Sequence, residues 1–429
     1  MATSRQLREQ IAAGRWDAAL AALYGGSEKV LARQRSRYGA ALEQFELYYG
    51  PGRQVQVYSA PGRTELGGNH TDHQHGYGLA GAVTLDLVAV ASRNEDGFIR
   101  VKSRGFNKLD VIDLAEAEPQ QGEGTHSASL IRGIAEGFRA KGCDVGGFDA
   151  YTASDVLRGS GLSSSAAFEM GVAMILNTEY GCGLDAPALA RICQFAENTY
   201  FGKPSGLLDQ LTSAVGGVLF ADFADPTAPK IEKIHADGVL PEGMTLCVTD
   251  TRASHSELTG EFAAIRNEME AVAACLGGKV LGEVDEKRFW QELPRLREQC
   301  GDRAVLRAIH YFEENARTLA QRAALAGDFA AFARLAEKSG HSSFECCQNV
   351  YCASSPKHQG LSAALAISQS ILAGTGGAWR MQGGGFAGTI QAFVPDALVK
   401  RYCAAMEALF GPGCCYLLSL REQGAVRVM

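Results

Sequence analysis

A segment rich in glycine, serine and alanine constrains the fold more than any other feature of this 429-residue sequence. It reads Gly159-Ser160-Gly161-Leu162-Ser163-Ser164-Ser165-Ala166-Ala167 and continues as an apolar stretch. We predict a helix over Gly161–Asn177, whose first turn carries unpaired backbone N–H groups and the positive end of the helix dipole. Such a turn can bind a phosphate, and its serines can ligate Mg²⁺. The alternative is an N-capped helix in a small-residue packing interface.

A second glycine-rich segment, Gly383 to Gly388, formally matches G-x-G-x-x-G. A dinucleotide-binding fold needs a helix after this motif, whereas the strand-like stretch Thr389–Val394 follows here. We therefore reject the dinucleotide interpretation and expect a loop that closely approaches another backbone segment or a phosphate. No G-x-x-x-x-G-K-[ST] motif occurs, so the chain has no ordinary P-loop.

The segment Ala60–Gly76 is dense in polar side chains. Its residues His70, Asp72, His73 and His75 are possible metal ligands, because imidazole and carboxylate groups bind many divalent ions. The remaining histidines show no matching pair that would complete a metallohydrolase site. A polar sugar-binding loop fits this segment better, since a sugar needs many convergent donors and acceptors.

Composition and charge exclude several classes of protein. The net charge is −7, with acidic and basic residues interspersed, which argues against a nucleic-acid partner. No run of about 18 apolar residues predicts a membrane span, and the polar N-terminus does not resemble a signal peptide. The twelve cysteines show no C-x-x-C spacing, which favours free thiols in an intracellular protein. We expect a cytoplasmic protein.

The pattern of elements predicts an α+β protein with two domains. Apolar residues at helical spacing predict helices in the first fifty residues, and strands and helices then alternate irregularly. The stretch Ala224–Gly243 contains three prolines and several charges, so it is the best candidate linker. We place the domain boundary there, which gives domains of residues 1–235 and 236–429.

Taken in order, these segments resemble the GHMP kinases, and within them the galactokinase family. That family shows P-G-R-x-N-L-I-G-E-H-T-D, then G-x-G-L-S-S-S-A-A, then R-M-x-G-x-G-F-G-G. This chain also carries Glu197-Asn198 followed by Gly206-Leu207-Leu208-Asp209-Gln210, similar to the family's E-N and G-I-M-D-Q stretch. The likeness extends from about residue 45 to 420. Each motif is moderately specific, and five motifs in the same order are strongly so.

The resemblance implies an N-terminal α/β domain and a C-terminal α+β, ferredoxin-like domain, with the active site in the cleft between them. It further implies ATP and Mg²⁺ as cofactors and transfer of a phosphoryl group to a sugar hydroxyl. Asp209 matches the catalytic base and Arg63 its partner, although a structural ion pair is the alternative. Ser165 and Glu197 match the metal ligands. The phosphate loop covers Gly159, Ser160, Gly161, Leu162, Ser163, Ser164 and Ser165, and the sugar-contacting positions are Asn69, His70, Asp72, Gly206 and Phe262.

Several positions depart from the family pattern. Asn69 replaces a glutamate that contacts the 6-hydroxyl of the sugar, and Phe262 replaces a tyrosine. Glu65 stands for the usual asparagine, Leu157 for a proline and Gln382 for a threonine. The stretch Asp72-His73-Gln74-His75-Gly76 replaces D-Y-N-x-G and is similar to that of plant galacturonokinases.

The first two of these changes, Asn69 and Phe262, bear on specificity. A neutral Asn69 would remove the repulsion between a pocket carboxylate and a sugar carboxylate, and it could donate a hydrogen bond. A uronic acid such as galacturonate is therefore an alternative substrate, with galactose the leading one because asparagine also binds hydroxyls.

A non-catalytic sugar sensor is the second alternative. Such proteins lose residues of the serine loop, whereas this chain keeps Ser163 to Ala167, Arg63 and Asp209. We therefore expect an enzyme, which we predict to be a monomer or a weak homodimer.

Overall fold

The structure is a computed structural model that describes residues 2–120, 122–156, 161–203, 205–253 and 259–429. Two positions of the predicted phosphate loop, Gly159 and Ser160, lie outside the described residues, as does Leu157. No helix among the described residues has both the length and the apolar character needed to cross a membrane.

Helices dominate the described part of the chain. They are α1 (Ser4–Ala12), α2 (Asp17–Tyr24), α3 (Glu28–Tyr49), α4 (Ser127–Ala140), α5 (Ser164–Glu179), α6 (Ala186–Phe195), α7 (Leu208–Val215), α8 (Thr259–Cys275), α9 (Glu286–Gln291), α10 (Leu293–Cys300), α11 (Asp302–Ala324), α12 (Phe329–Ser342), α13 (Gly360–Leu372) and α14 (Asp396–Phe410). A π-helical turn, Ala196–Tyr200, extends α6.

The strands form two sheets. They are β1 (Ala2–Thr3), β2 (Gln54–Gly67), β3 (Tyr77–Arg93), β4 (Phe98–Ser103), β5 (Leu109–Asp113), β6 (Phe148–Ser154), β7 (Val218–Asp222), β8 (Lys230–Ile234), β9 (Met244–Asp250), β10 (Ala378–Met381), β11 (Thr389–Pro395), β12 (Cys415–Leu418) and β13 (Val426–Arg427). The first sheet has the order β1-β2-β3-β6-β4-β5, with β13 beside β2 and with β7 and β8 beyond β3. The second, antiparallel sheet has the order β10-β11-β9-β12.

Both faces of the first sheet are buried, because side chains alternate between two cores along each strand. On β3, Leu87 and Ala89 belong to the core under α4 to α7, whereas Val88 and Val90 belong to the core under α1 to α3. This explains why β3 reads as a continuous apolar run. The predicted helices of the first fifty residues therefore form one complete layer of the first half.

The second half contains its own two cores. One core lies among α8 to α11, and the other lies between the second sheet and helices α13 and α14. The predicted linker, Ala224–Gly243, includes strand β8, which pairs with β7 in the first sheet. Strand β13 returns to that sheet from the end of the second half and pairs with β2 at Ser59.

Candidate active site

A cavity of about 650 Å³ lies where the two halves meet. Its walls come from the end of β2 and the polar loop after it, from the start of α5, from the start of α7, from α8 and from the turn between β10 and β11. Of the predicted site residues, those that line the cavity are Arg63, Asn69, His70, Asp72, Gly161, Ser163, Ser164, Ser165, Gly206, Asp209 and Phe262. Leu162 is fully buried behind the loop, and Glu197 is 2 % exposed behind the cavity wall.

Arg63 and Asp209 form a bidentate ion pair on the cavity wall. The Arg63 Nε–Asp209 Oδ1 distance is 2.6 Å, and the second guanidinium nitrogen lies 2.8 Å from Oδ2. Arg63 is almost fully buried, whereas the Asp209 side chain is 38 % exposed to the cavity. Burial raises the pKa of Asp209, but the Arg63 charge and the Ser163 hydroxyl, which donates to Oδ2, outweigh it and the pKa is lowered. Asp209 is therefore ionised at neutral pH and faces open space.

The turn before α5 lines the cavity, and the start of the helix has no side-chain cap. Gly161 and Ser163 both adopt left-handed backbone conformations, with φ of 66° and 58°. The Ser163 side chain does not cap α5, because its hydroxyl donates to Asp209 instead. Arg63 fixes the turn through its own N–H on Leu162 O and its guanidinium on Gly161 O. The packing-interface alternative does not account for this open helix start, which suits an anion.

Glu197 and Ser165, the predicted metal ligands, lie side by side, with Ser165 Oγ 3.3 Å from Glu197 Oε1. The Lys203 ammonium lies 2.8 Å from the same carboxylate oxygen and also lines the cavity, so this position already accommodates a positive charge. Ser205 and Gln210 hold the other carboxylate oxygen at 2.6 and 2.9 Å. These hard oxygen donors with firm second-sphere support fit Mg²⁺.

The Asp72 carboxylate lies against Gly206, a position where any side chain would collide with it. A Cβ at Gly206 would lie 1.6 Å from Asp72 Oδ2, so any other residue there would displace the carboxylate. Burial raises the pKa of Asp72 to about 6, and the nearby Asp209 charge adds to the rise. Asp72 thus offers carboxylate oxygens to the cavity above that pH.

His70 belongs to a directed chain of hydrogen bonds. The Gln74 amide lies 3.2 Å from His73 Nδ1, His73 Nε2 lies 3.2 Å from His70 Nδ1, and His70 Nε2 lies 3.0 Å from Gly384 O. Because a carbonyl only accepts, His70 Nε2 carries the proton, and each imidazole lone pair accepts from the preceding group. Burial lowers the pKa of His70 to about 4 and keeps the ring neutral.

These hydrogen bonds also argue against a metal site at His70 and His73. The ring nitrogens of His70 and His73 are all engaged in hydrogen bonds. Among the residues that the structure describes, the only close convergence of three potential ligands is a group of cysteines elsewhere.

Asn69 has no hydrogen left to donate to a ligand. Its amide nitrogen lies 3.0 Å from Glu65 Oε1 and 2.7 Å from Gly383 O, and its oxygen accepts from Asn349 at 2.9 Å. The Gly383 carbonyl can only accept, which fixes the orientation of the amide. Asn69 therefore offers the cavity only the remaining acceptor capacity of Oδ1. Glu65, which also lines the cavity, pairs with the buried Arg380 at 2.8 Å.

The glycine-rich turn after β10 packs closely against this polar loop. The sequence predicts such a close approach to another backbone segment. Gly383 O and Gly384 O accept from Asn69 and His70. A Cβ at Gly384 would lie 2.5 Å from the ring of Phe262, which packs edge-to-face on Phe386 at 5.4 Å. The turn joins two strands, so the dinucleotide interpretation is excluded by structure as well.

Sequence reasoning missed several residues of the site, and three of them show why. Lys203 lies between the Glu197-Asn198 motif and the motif that begins at Gly206. Its place between two motifs could have identified it from the sequence. Arg266 lies one helical turn after Phe262 and lines the cavity. Asn349 orients Asn69 from a loop without any motif, and the sequence holds no signal for it.

Comparison with known proteins agrees with this geometry. The GHMP kinase N-terminal domain matches residues 129–217, and the galactokinase galactose-binding signature matches residues 43–93. The solved galactokinase of Lactococcus lactis, complexed with galactose, is similar with a TM-score of 0.77 at 24% identity, over 90% of this chain and 98% of that one. Methanococcus jannaschii mevalonate kinase is similar with a TM-score of 0.61 at 15% identity, over 86% and 99%. These likenesses define the fold as that of a GHMP kinase.

The galactokinase of Streptomyces coelicolor is 34% identical over 378 residues, which cover 87% of this chain and 92% of the relative. The chain belongs to the galactokinase family. It is a sugar-kinase phosphotransferase of a family that uses ATP, so the predicted family, α+β fold and enzyme class are confirmed.

Proposed function

We propose that this enzyme transfers the γ-phosphoryl group of MgATP to the anomeric hydroxyl of galactose. The observation that carries the proposal is the bidentate Arg63–Asp209 pair, open to the cavity and bonded to Ser163 of the phosphate turn. One carboxylate thereby lies beside both the sugar loop and the helix start that suits a phosphate. A family resemblance to galactokinases supports the choice of sugar.

Asp209 accepts the proton of the anomeric hydroxyl while that oxygen attacks the γ-phosphorus and ADP leaves. Arg63 lowers the pKa of this carboxylate, so Asp209 is a weak base toward a free hydroxyl. Proton transfer is therefore late, because the hydroxyl becomes acidic only as its bond to phosphorus forms. Arg63 also lies where it can stabilise the charge on the transferring group, and electrostatics of this kind dominate phosphoryl transfer.

Ser165 and Glu197 are the proposed ligands of Mg²⁺, which when bound neutralises charge on the phosphate oxygens. Lys203 has to leave Glu197 Oε1 or share it when the ion binds. Glu169 lies behind this site, and Gln210 donates to the carboxylates of both Glu169 and Glu197. Burial and the neighbouring Glu197 charge raise the pKa of Glu169 well above its usual range, so Glu169 holds a proton there.

The hydrogen bonds of Asn69 favour a neutral hexose over a uronic acid as the substrate. Both of its amide hydrogens are used within the protein, so it cannot donate to a sugar carboxylate. Its free acceptor capacity instead suits a hydroxyl, such as the 6-hydroxyl of galactose. The proximity of the Glu65 carboxylate also disfavours an anionic substituent at this position. The sensor alternative is not supported by the serine loop, because Ser163, Ser164 and Ser165 all line the cavity.

The direct test is an ADP-release assay with MgATP against galactose, galacturonate, glucose, N-acetylgalactosamine and mevalonate. We expect turnover with galactose, and phosphorus NMR of the product should show a phosphate on the anomeric oxygen. Turnover with galacturonate alone would contradict the assignment of Asn69 as an acceptor, and silence on every sugar would favour the sensor alternative. We expect the enzyme to be a monomer or a weak homodimer, and light scattering of the purified enzyme tests this. We also expect it to be cytoplasmic.

The role of Asp209 has its own test. Asp209→Asn keeps the shape of the side chain but removes the base, so kcat should fall about 10²- to 10⁴-fold. Asp225→Asn, in an exposed turn, is the matched control and should leave kcat unchanged. Equal circular dichroism spectra would show that both variants fold, and activity retained by Asp209→Asn would refute the base assignment.

A further inference from the structure

Three thiols from separate elements converge in the second half of the molecule. Cys247 lies in β9, Cys403 in α14 and Cys415 in β12, and their sulfur atoms all lie within 4.8 Å of one another. Cys247 is fully buried, whereas Cys403 and Cys415 are half-buried. The cluster lies in the core between the second sheet and its helices, away from the residues that line the cavity.

The strand register argues against a disulfide between the two strand cysteines. Cys415 pairs with Thr249 and Cys247 pairs with Leu417, so the two cysteines are diagonal neighbours. Diagonal residues in an antiparallel ladder have Cα atoms about 7–8 Å apart. A disulfide requires Cα atoms closer than about 7 Å and sulfur atoms about 2 Å apart. A metal bonded to each sulfur at about 2.3 Å would instead hold tetrahedral ligands about 3.8 Å apart, which lies inside the 4.8 Å within which the three sulfur atoms converge.

The surroundings favour a thiolate at the centre of the cluster. The Thr249 hydroxyl lies 3.7 Å from the Cys415 sulfur, where it can support a metal-bound thiolate. The thiolate rather than the thiol is the metal ligand.

We propose that Cys247, Cys403 and Cys415 bind a thiophilic d¹⁰ cation, Zn²⁺ among divalent ions, with a solvent molecule as fourth ligand. Three sulfur ligands and tetrahedral geometry are what Zn²⁺ accepts, and soft thiolates exclude Mg²⁺. The ligands bind as thiolates, so the ion displaces the protons that the three thiols hold.

The site would join β9, β12 and α14 at one point. Strand β9 continues into Thr251, whose N–H and hydroxyl donate to Gly388 O at 2.9 and 2.8 Å. Gly388 ends the glycine-rich turn of the active site, so the ion stabilises the sheet that supports this turn. Sequence spacing did not reveal the site, because its three ligands are far apart along the chain.

The test uses the full chain, kept reduced and treated with a chelator, and then titrated with Zn²⁺ in competition with a chromophoric chelator. We expect one tightly bound ion per chain, release of protons on binding and a rise in the unfolding temperature. Co²⁺ should give the ligand-field and charge-transfer bands of a tetrahedral thiolate site. This measurement uses the unaltered protein, so it does not depend on the folding of any variant.

Single variants identify the ligands. Cys247→Ser, Cys403→Ser and Cys415→Ser should each lower the affinity at least tenfold, whereas Cys300→Ser should not. Cys300 is a matched control, because it lies 3.4 Å from Cys275 in a two-thiol pair. Absence of the Co²⁺ bands, or equal losses in Cys300→Ser, would overturn the proposal. Failure of the reduced protein to bind Zn²⁺ in the titration would equally overturn it.

Discussion

At the scale of single residues, Glu65 and Asn69 exchange the two residue types that the galactokinase pattern has at these positions. The carboxylate remains beside its amide partner, at 3.0 Å, and it retains the buried Arg380. Glu65→Asn should cost about 3–5 kcal/mol in the free energy of unfolding, because Arg380 would lose its partner. The double variant Glu65→Asn/Asn69→Glu should recover much of this loss. A double-mutant cycle in urea measures the coupling, and simple additivity would refute it.

Asp72 gives a prediction about pH. Its pKa is raised to about 6, so the native state binds a proton more tightly than the unfolded state. The protonated carboxyl favours the fold at low pH, and this contribution is lost as the pH rises from about 4 to 6. Asp72→Asn should therefore be more stable than the parent at pH 7.5, on the order of 1–2 kcal/mol after allowance for partial exposure, and less so at pH 5. Urea unfolding at both pH values measures this, and an equal gain at both would contradict it.

At the scale of elements, helix α3 carries cations that hold the first sheet. Arg37 lies 2.5 Å from the fully buried Asp86 and 3.2 Å from Asp155, which comes four residues before Gly159, the first residue of the predicted phosphate loop. The first helices thus support the strand that leads into this loop. We expect Arg37→Met to lower the free energy of unfolding by about 3 kcal/mol, since a buried carboxylate loses a partner.

The control for this prediction is Arg5→Met, which removes an exposed i,i+4 pair with Glu9 on α1. Exposed pairs of this kind contribute little, so its unfolding midpoint in urea should stay near that of the parent. A midpoint for Arg37→Met that equals that of the control would show that α3 is held by apolar packing alone.

At the scale of the whole molecule, Glu314 ties the second half to the sugar loop. It is fully buried in α11 and accepts from the backbone of Gly68 and Asn69 and from Ser339. Burial raises its pKa, but the His310, Arg317 and Arg380 charges and the Ser339 hydrogen bond outweigh it and set a pKa of about 2. This contribution to stability is present above the unfolded pKa near 4.5 and is lost as the pH falls toward 2.

Glu314→Gln should therefore destabilise the protein at neutral pH by on the order of 3 kcal/mol and flatten the acid dependence of unfolding between pH 5 and 3. It should also raise KM for the sugar more than KM for ATP, because it loosens the loop that carries Asn69. Calorimetry across this pH range and paired KM measurements test the claim. A parallel rise in both KM values would point to a general loss of structure instead.

Much of the site could be predicted from the sequence where the chemistry is local. The serine turn and the start of α5 are contiguous, and Arg63 and Asp209 sit in recognisable motifs. The consequences of Asn69 could not be predicted, because Gly383 and Asn349 consume its hydrogen-bonding capacity from more than two hundred residues away. The cysteine cluster and the strand within the candidate linker escaped for the same reason: tertiary contacts defined them, and local patterns did not.

Strand β13 has a consequence for the order of events during synthesis. Val426 pairs with Ser59, and Arg421 reaches across to the Asp86 carboxylate at 3.2 Å. A ribosome releases these partners only after the whole second half has been made. While the chain is being translated, the first half therefore lacks these contacts, and the part of the β2 edge near Tyr58 and Ser59 is still without its β13 partner. Contacts of such long sequence separation slow folding, so chaperone demand should concentrate on this interval.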